Sequence, residues 1–304
     1  MKKFASLLHR EWMQHQRGWV ILVALPLVLV ILAATFGHVQ VNLGDDVAAR
    51  GHSPEPAALA ALSIAGLGAG TLLLAWGSTL LQVPGLARRD VQDRSIEFWL
   101  SMPTSHVQSL GATLLAHLLL VPWAALAIGL VGGLVVSALV VAQVHGLAAW
   151  FALPWGSIVI GAVALWLRLG LGVLLTTLWL SPLIVGVMAA SAWLKRWGLP
   201  VFIGGLALGN LVLEQLYGVR ALSAALRGMF TSARRAFIGA GSGGSLHINS
   251  SAELDAMLPQ AAHWLLGDAG RALQAAASPA FMAALAVGAA AFALLVLRRQ
   301  RSNQ

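Results

Sequence analysis

Residues 110–141 read LGATLLAHLLLVPWAALAIGLVGGLVVSALVV, a run of 32 residues without Asp, Glu, Lys or Arg. A helix over this run would be roughly 48 Å long at about 1.5 Å per residue, whereas the hydrocarbon core of a bilayer is about 30 Å thick. Lipid is the solvent that suits a helix so apolar and so long. The run therefore predicts a membrane-spanning helix that tilts, kinks at Pro122 or protrudes from the bilayer.

The whole chain is too apolar for a protein that folds in water. Of its 304 residues 59% are hydrophobic and only 10% are charged, and the mean hydropathy is +0.81. Soluble domains carry about 25% charged residues, and no polar stretch here is long enough for a separate soluble domain. Cysteine is absent, which excludes disulfides and thiolate metal sites. The composition predicts an all-α polytopic membrane protein.

Five further apolar runs have the length to cross a bilayer, which makes six predicted transmembrane helices. The difficult region, residues 150–193, is either two spans joined by a tight turn or an outer amphipathic segment followed by one span. The second arrangement is favoured because it places Lys195 and Arg196 inside and Arg168 near the outer headgroups, where it can snorkel. The five runs are then residues 19–36, 57–83, 171–193, 199–217 and 281–297.

The basic residues indicate the orientation. Twelve Lys and Arg residues fall in segments that this arrangement places inside, against Arg50 and Arg168 in the short outer segments. Cytoplasmic loops retain an excess of positive charge, whereas long translocated loops escape the bias. We therefore expect both termini in the cytoplasm. The net charge of +8 then reflects membrane orientation, and no nucleic-acid partner is expected.

The N-terminal residues 1–17 have an amphipathic pattern. Phe4, Leu8 and Trp12 recur on one face, beside several cationic side chains that suit anionic headgroups. The pattern predicts an interfacial helix that contacts membrane lipids, with a disordered basic tail as the alternative.

A long polar region, residues 218–278, precedes the last span and is expected outside. Its pattern predicts two helices, 219–237 and 252–277, which either rest on the outer leaflet or form a lid or docking platform over an exit path. The expected organisation is residues 1–17, residues 18–217 with an internal loop at 84–108, residues 218–278, and residues 279–304 with the sixth span and a basic tail.

The internal loop 84–108 carries the most informative segment. Residues 94–105 read RSIEFWLSMPTS and place Glu97 beside Phe98 and Trp99. An exposed apolar face next to a charge is typical of a surface that binds a partner protein. A helix lying in the headgroups, with the two aromatic residues as anchors, explains the segment equally well.

This loop resembles that of the permease subunits of type-2 ATP-binding-cassette (ABC) exporters. Their second span is followed by a segment similar to GTLELLLATPVS, in which Glu precedes Pro by six residues, as Glu97 precedes Pro103 here. The present loop differs in having Ser95-Ile96 before the Glu and the aromatic pair Phe98-Trp99 in place of leucines. The resemblance extends to the N-terminal amphipathic helix, the six-span layout and the long outer loop, and so covers nearly the whole chain.

The resemblance implies that this loop holds a coupling helix, which seats in a groove of a separate ABC ATPase subunit. ATP and Mg²⁺ would bind to that partner and not to this chain. The permease itself would lie in a bacterial inner membrane. The transport pathway would form between two permeases, as a homodimer or a heterodimer. The GxxxG pair at Gly205 and Gly209 offers a surface for such subunit contact. The residues implied in coupling are Arg94, Ser95, Glu97, Phe98, Trp99, Leu100 and Pro103.

The chain has no recognisable catalytic motif of its own. It lacks a GxxxxGK[ST] phosphate loop, and the GxGxxG match at residues 239–244 follows no strand pattern, so a flexible hinge explains it better. The nine histidines are scattered over different segments, and neither a metal site nor a Ser/His/Asp constellation is predicted.

Three ionisable residues near the spans are possible pathway residues: Glu214, Arg168 and His117. Glu214 is equally able to pair with Arg168 or to reach water. Two other functional classes stay open at this point, a membrane-embedded enzyme acting on lipids or peptides and a non-enzymatic scaffold or ion-coupled carrier. An enzyme would need a convergent polar site, and a carrier would usually show internal repeats.

Overall fold

The computed structural model of the chain describes residues 2–37, 54–86, 105–239 and 251–301. Within these ranges every regular element is helical. The helices are α1 Lys2–Phe36, α2 Pro56–Leu86, α3 His106–His145, α4 Leu147–Phe151, α5 Trp155–Trp179, α6 Ser181–Leu194, α7 Gly198–Tyr217, α8 Ala221–Phe237, α9 Ser251–Ala276 and α10 Pro279–Arg301. Helix α3 contains one π-helical turn, Ala116–Leu120, and a 3₁₀ turn, Lys195–Trp197, joins α6 to α7.

Among the residues that the structure describes, six helical stretches are long and apolar enough to cross a membrane, so the expected all-α, multi-pass membrane fold is confirmed. Their outer faces expose large apolar side chains, such as Ile21 and Ile160, each at 61%. Such exposure is stable against lipid tails and costly against water. The six stretches are Phe4–Phe36, Pro56–Leu86, His106–His145, Trp155–Trp179, Ser181–Tyr217 and Pro279–Arg301.

The centre of the fold is the antiparallel pair α2 and α3, which approach closely through glycine. A Cβ atom added to Gly133 would lie 2.5 Å from the Cα atom of Ile64, so no larger residue fits there without moving the backbone. About two turns further along α2, the Thr71 hydroxyl donates a hydrogen bond across the pair to the Ala125 carbonyl at 2.9 Å. Small residues thus let two long helices pack backbone against backbone.

Helix α1 runs without a break from the expected interfacial segment into the first span, so residues 1–17 are not a separate element where the structure describes them. Its buried face near the N-terminus is formed by Leu7, Arg10 and Glu11. Of the residues expected to face the interface, Trp12 is 46% exposed, and Phe4 and Leu8 are half-buried. A single glycine inside a helix costs only about 1 kcal/mol relative to alanine, so the helix continues through Gly18.

Residues 150–193 differ from the arrangement favoured by the sequence. The helix begins at Trp155, well before the expected start of the fourth span at Leu171, and residues 155–170 are not a separate outer segment. A break at Leu180 then separates α5 from α6, because Pro182 in the first turn of α6 cannot donate a backbone hydrogen bond to the preceding turn.

Helices α6 and α7 fold back on each other. The turn between them places Lys195 at a positive φ of 55°, which is rare for a residue other than glycine. A Cβ atom on Gly186 would lie 2.8 Å from the ring of Phe202, which shows how closely the two helices approach. Beyond this contact α7 is poorly packed, and Gly198 is its one buried residue.

The polar region before the last span forms α8 and α9, within a few residues of the two helices expected there. Helix α9 packs along α5, where Ala272 joins a cluster with Leu175 and Trp179. Helix α10 packs against α6, where Leu295 and Met188 belong to one buried apolar cluster. The segment is therefore part of the helix packing and does not stand apart from the spans.

Candidate functional site

An apolar cavity of about 380 Å³ lies between α2, α5 and α9. Alanine, leucine and isoleucine side chains form most of its wall, and the polar groups at its edge are Ser157 and Gln260. Its volume falls within the range of about 300–1,000 Å³ that is usual for small-molecule sites. The side chains that best define it are Ala61, Ile64, Ile158, Leu165, Leu258 and Trp264.

A buried ion pair joins α5 to α9, the two helices that form one side of this cavity. The Arg168 Nε atom donates to Asp268 Oδ2 at 2.8 Å, and its Nη2 atom lies 2.7 Å from the same oxygen. Both side chains are fully buried, at 0% exposure. Because a buried charge is costly unless it is paired, this contact holds the two helices in one register.

The C-terminal end of α8 completes this ion-pair site. Arg168 Nη1 donates to the carbonyl oxygens of Ala236 and Phe237, each at 3.0 Å, and the Gly239 N–H donates to Asp268 Oδ2 at 3.0 Å. The guanidinium thereby contacts the negative end of a helix dipole as well as a carboxylate. Arg168 thus ties α5, α8 and α9 together.

The sequence pattern predicts that Arg168 snorkels toward the outer headgroups, whereas the structure buries its side chain completely among α5, α8 and α9. Its partner Asp268 is 100 residues away in the chain and belongs to a helix expected to rest outside the spans. Glu214 does not pair with Arg168; instead its Oε1 atom lies 3.0 Å from Arg220 Nε in a partly exposed contact. The structure therefore does not bring together the possible pathway residues Glu214 and Arg168.

The third possible pathway residue, His117, lies in a second buried polar group, with Glu11 and His15 of α1. The side chain of His117 is 1% exposed, and its Nδ1 atom is 3.9 Å from Glu11 Oε2. His15 Nδ1 lies at the same distance, 3.9 Å, from that oxygen. The ligand atoms of the three residues lie within 4.8 Å of one another. Arg10 pairs with Glu11 Oε1.

The proposed coupling residues 94–100 and 103 lie outside the described residues. The described chain resumes at Ser105, which caps α3: its hydroxyl accepts a hydrogen bond from the Gln108 N–H at 3.2 Å, and the Gln108 side chain returns to the Ser105 N–H. A capping box of this kind fixes where a helix begins. The loop containing the coupling residues therefore ends at a defined helix start.

Sequence patterns missed Asp268, Glu11 and His15. Asp268 stands in a sequence with other charged residues, so its local pattern suggests a solvent-exposed side chain. Its role as the partner of Arg168 follows only from the folded structure. Glu11 and His15 do carry a local signal, since they stand one helical turn apart and so share a face. Their third member, His117, comes from another helix, which local spacing cannot show.

The resemblance to exporter permeases rests on the loop pattern and the order of spans. Comparisons of the chain with protein-family models, with curated proteins and with solved structures found no match.

Proposed function

We propose that this chain is the membrane-spanning permease subunit of an ABC exporter. Two such subunits, identical or similar, form the pathway, and a separate ATPase binds the loop at residues 94–105 on the cytoplasmic side. The loop pattern around Glu97 and Pro103 supports this assignment, as do the six apolar helical stretches. Both termini then lie in the cytoplasm of a bacterial cell.

The observation that carries the proposal is the loop pattern around Glu97 and Pro103, and the apolar cavity between α2, α5 and α9 supports a class of cargo. The cavity wall contains almost no polar group, so its occupant is an apolar chain or ring, and the cargo class is lipid-like or amphipathic. The cavity lies against α9, which Arg168 and Asp268 bind to α5. A movement of α9 away from α5 would widen the cavity, and the ion pair opposes that movement.

ATP binding by the partner supplies the energy for such a change. A partner can shift a two-state equilibrium only by binding one state more tightly than the other. In the proposed cycle, nucleotide-bound ATPases draw the two 94–105 loops together and stabilise the conformation in which the pathway opens to the far side. The chain itself contributes the pathway, and the partner contributes hydrolysis.

Coupling is tested in lipid vesicles that contain the chain and a candidate ABC ATPase, sought as a protein with a GxxxxGK[ST] phosphate loop encoded next to this chain. Replacing Glu97 and Trp99 together by Ala should abolish ATPase association and stimulation. The matched control is the Glu55→Ala, Phe151→Ala double variant, which removes an exposed acid and an exposed aromatic ring elsewhere. If the Glu97/Trp99 variant binds and stimulates the ATPase normally, the coupling assignment is wrong. Transport that proceeds without any ATPase would favour an ion-coupled carrier.

The cavity is tested by filling it. Gly161 lines it, and a Cβ atom there would meet only Ala261, at 4.0 Å, so Gly161→Leu projects a side chain into the space. We expect transport of a fluorescent phospholipid to fall severalfold while ATPase association persists. Gly156→Leu, in the same helix but with no neighbour within 4 Å, is the control and should transport normally. Equal transport by both variants would exclude this cavity from the pathway.

A further inference from the structure

Glu11, His15 and His117 form a compact group between α1 and α3, independent of the proposed transport pathway. Glu11 and His15 occupy successive turns of α1, and His117 lies in the π-helical turn of α3. Single π turns are energetically unfavourable and occur frequently at functional sites, where they re-aim a side chain. The Glu11 and His117 side chains are 3% and 1% exposed, so the group is enclosed.

Each member of this group is held by a second hydrogen bond. His15 Nδ1 is 2.9 Å from the Glu11 carbonyl oxygen, and His117 Nδ1 is 3.0 Å from the Thr113 carbonyl oxygen. A carbonyl only accepts, so both Nδ1 atoms carry the proton and both Nε2 atoms are the basic nitrogens. Glu11 Oε1 accepts from the Thr113 hydroxyl at 2.9 Å, which leaves Oε2 facing the two rings.

This pattern is that of metal ligands. Histidine ligands usually donate their other ring N–H to a carbonyl or carboxylate, and a ligating carboxylate is itself hydrogen-bonded. We propose that Glu11, His15 and His117 bind one divalent transition-metal ion, with Zn²⁺ as the best-suited occupant. Two imidazoles and one carboxylate are a common zinc ligand set, with a fourth position open to water.

The spacing suits this ion after a small adjustment. Ligand atoms around a tetrahedral Zn²⁺ stand about 3.4 Å apart, given bonds of about 2.1 Å. One ligand atom of each residue lies within 4.8 Å of the others, but the nitrogens 3.9 Å from Glu11 Oε2 are the two Nδ1 atoms, so both imidazole rings must turn to bring Nε2 toward the ion. Bound metal would join α1 to α3 near the π turn. Ca²⁺ and Mg²⁺ fit poorly because they prefer oxygen ligands.

Arg10 is the cation that faces the site, since it pairs with the same carboxylate. Its positive charge disfavours a second cation nearby, so the affinity should be lower than for the same ligands alone. Replacing Arg10 tests whether the Zn²⁺ affinity changes in the expected direction. Arg10→Gln should bind Zn²⁺ more tightly than the unaltered chain does, whereas loss of a ligand should weaken binding.

The experiment uses the full chain in detergent, stripped with a chelator and titrated with ZnCl₂, with MgCl₂ in parallel. We expect one Zn²⁺ per chain by elemental analysis and calorimetry, no response to Mg²⁺, and a raised Tm with Zn²⁺. His15→Ala, His117→Ala and Glu11→Gln should each lose this binding. His9→Ala, which removes an exposed histidine from the same helix, should retain it. Absence of stoichiometric zinc, or its retention in all three ligand variants, overturns the proposal.

A second variant keeps the test informative if a ligand variant fails to fold. Thr113→Val preserves all three ligands and removes the hydrogen bond to Glu11 Oε1, so zinc affinity should fall about 10- to 100-fold. Co²⁺ in the same site should give the visible absorption bands of a tetrahedral complex with nitrogen and oxygen ligands. An unchanged affinity in Thr113→Val together with a purely octahedral Co²⁺ spectrum would refute the site.

Discussion

Two buried polar groups in this protein compensate their buried charges in different ways. In the first, Arg168 and Asp268 neutralise each other, and two carbonyl oxygens and one backbone N–H form hydrogen bonds with them. In the second, the Glu11 carboxylate pairs with Arg10 through one oxygen and faces His15 and His117 with the other. The first group uses its charges to lock helices together. The second holds two imidazole rings and a carboxylate oxygen within a few ångströms of one another, as a binding site requires.

The difference has an energetic side. An ion pair as deeply buried as Arg168–Asp268 gains little over a well-packed apolar pair, but removing one partner is costly because the other charge stays buried. The second group also contains a buried ion pair, Arg10–Glu11, but this pair lies near the N-terminal end of α1, where a charge left without its partner can reach water more easily. Loss of a residue should therefore damage the two groups to different extents.

The largest effect is expected for Asp268→Ala. The variant leaves the Arg168 guanidinium buried without its carboxylate, and we expect the free energy of unfolding to fall by about 3–5 kcal/mol. Denaturant unfolding in detergent micelles, followed by tryptophan fluorescence, measures the change. The companion is the double replacement Arg168→Met, Asp268→Leu, which should recover most of the lost stability. If the single variant is as stable as the unaltered chain, the pair does not lock these helices.

A smaller effect is expected for Glu11→Ala in the chelator-treated protein. It removes the hydrogen bond from the Thr113 hydroxyl and the pairing with Arg10, so we expect a loss of about 1.5–3 kcal/mol. Arg10 is 7% exposed and lies near the end of α1, where side-chain movement can reach water more easily than at Arg168. The same unfolding assay measures it. A loss equal to or above that of Asp268→Ala would erase the distinction between the two groups.

The smallest effect is expected for Arg271→Ala. Arg271 Nη2 lies 3.5 Å from Asp268 Oδ1, but its side chain is 44% exposed, and water and salt screen such contacts. We expect a loss of at most about 1 kcal/mol, reduced further in high salt. Unfolding at low and high NaCl concentration tests this. A loss that is large and independent of salt would mean that Arg271 belongs to the buried pair.

The same two groups show how far the sequence leads. Apolar runs such as residues 110–141 predict the membrane helices, because hydropathy depends on local composition, and the pattern of α8 predicts its helix for the same reason. The burial of Arg168 depends on a partner 100 residues away, and its isolated charge is locally indistinguishable from one at the headgroups. Likewise Glu11 meets Thr113 and His117 only after α1 packs on α3. Local pattern predicts elements, whereas tertiary packing decides which polar residues form sites.

Helix α7 has a consequence for anyone who purifies this protein. It offers leucine and isoleucine side chains on most sides, with Leu208 66% and Leu216 74% exposed, and a Cβ atom on Gly205 would meet nothing within 4 Å. Its backbone hydrogen bonds are protected by lipid or by a second chain more than by its own neighbours. Hydrogen–deuterium exchange in detergent should therefore be fastest, among the apolar helices, along α7, and should slow in nanodiscs. The choice of detergent or lipid should therefore change hydrogen–deuterium exchange more in α7 than in the central pair α2 and α3.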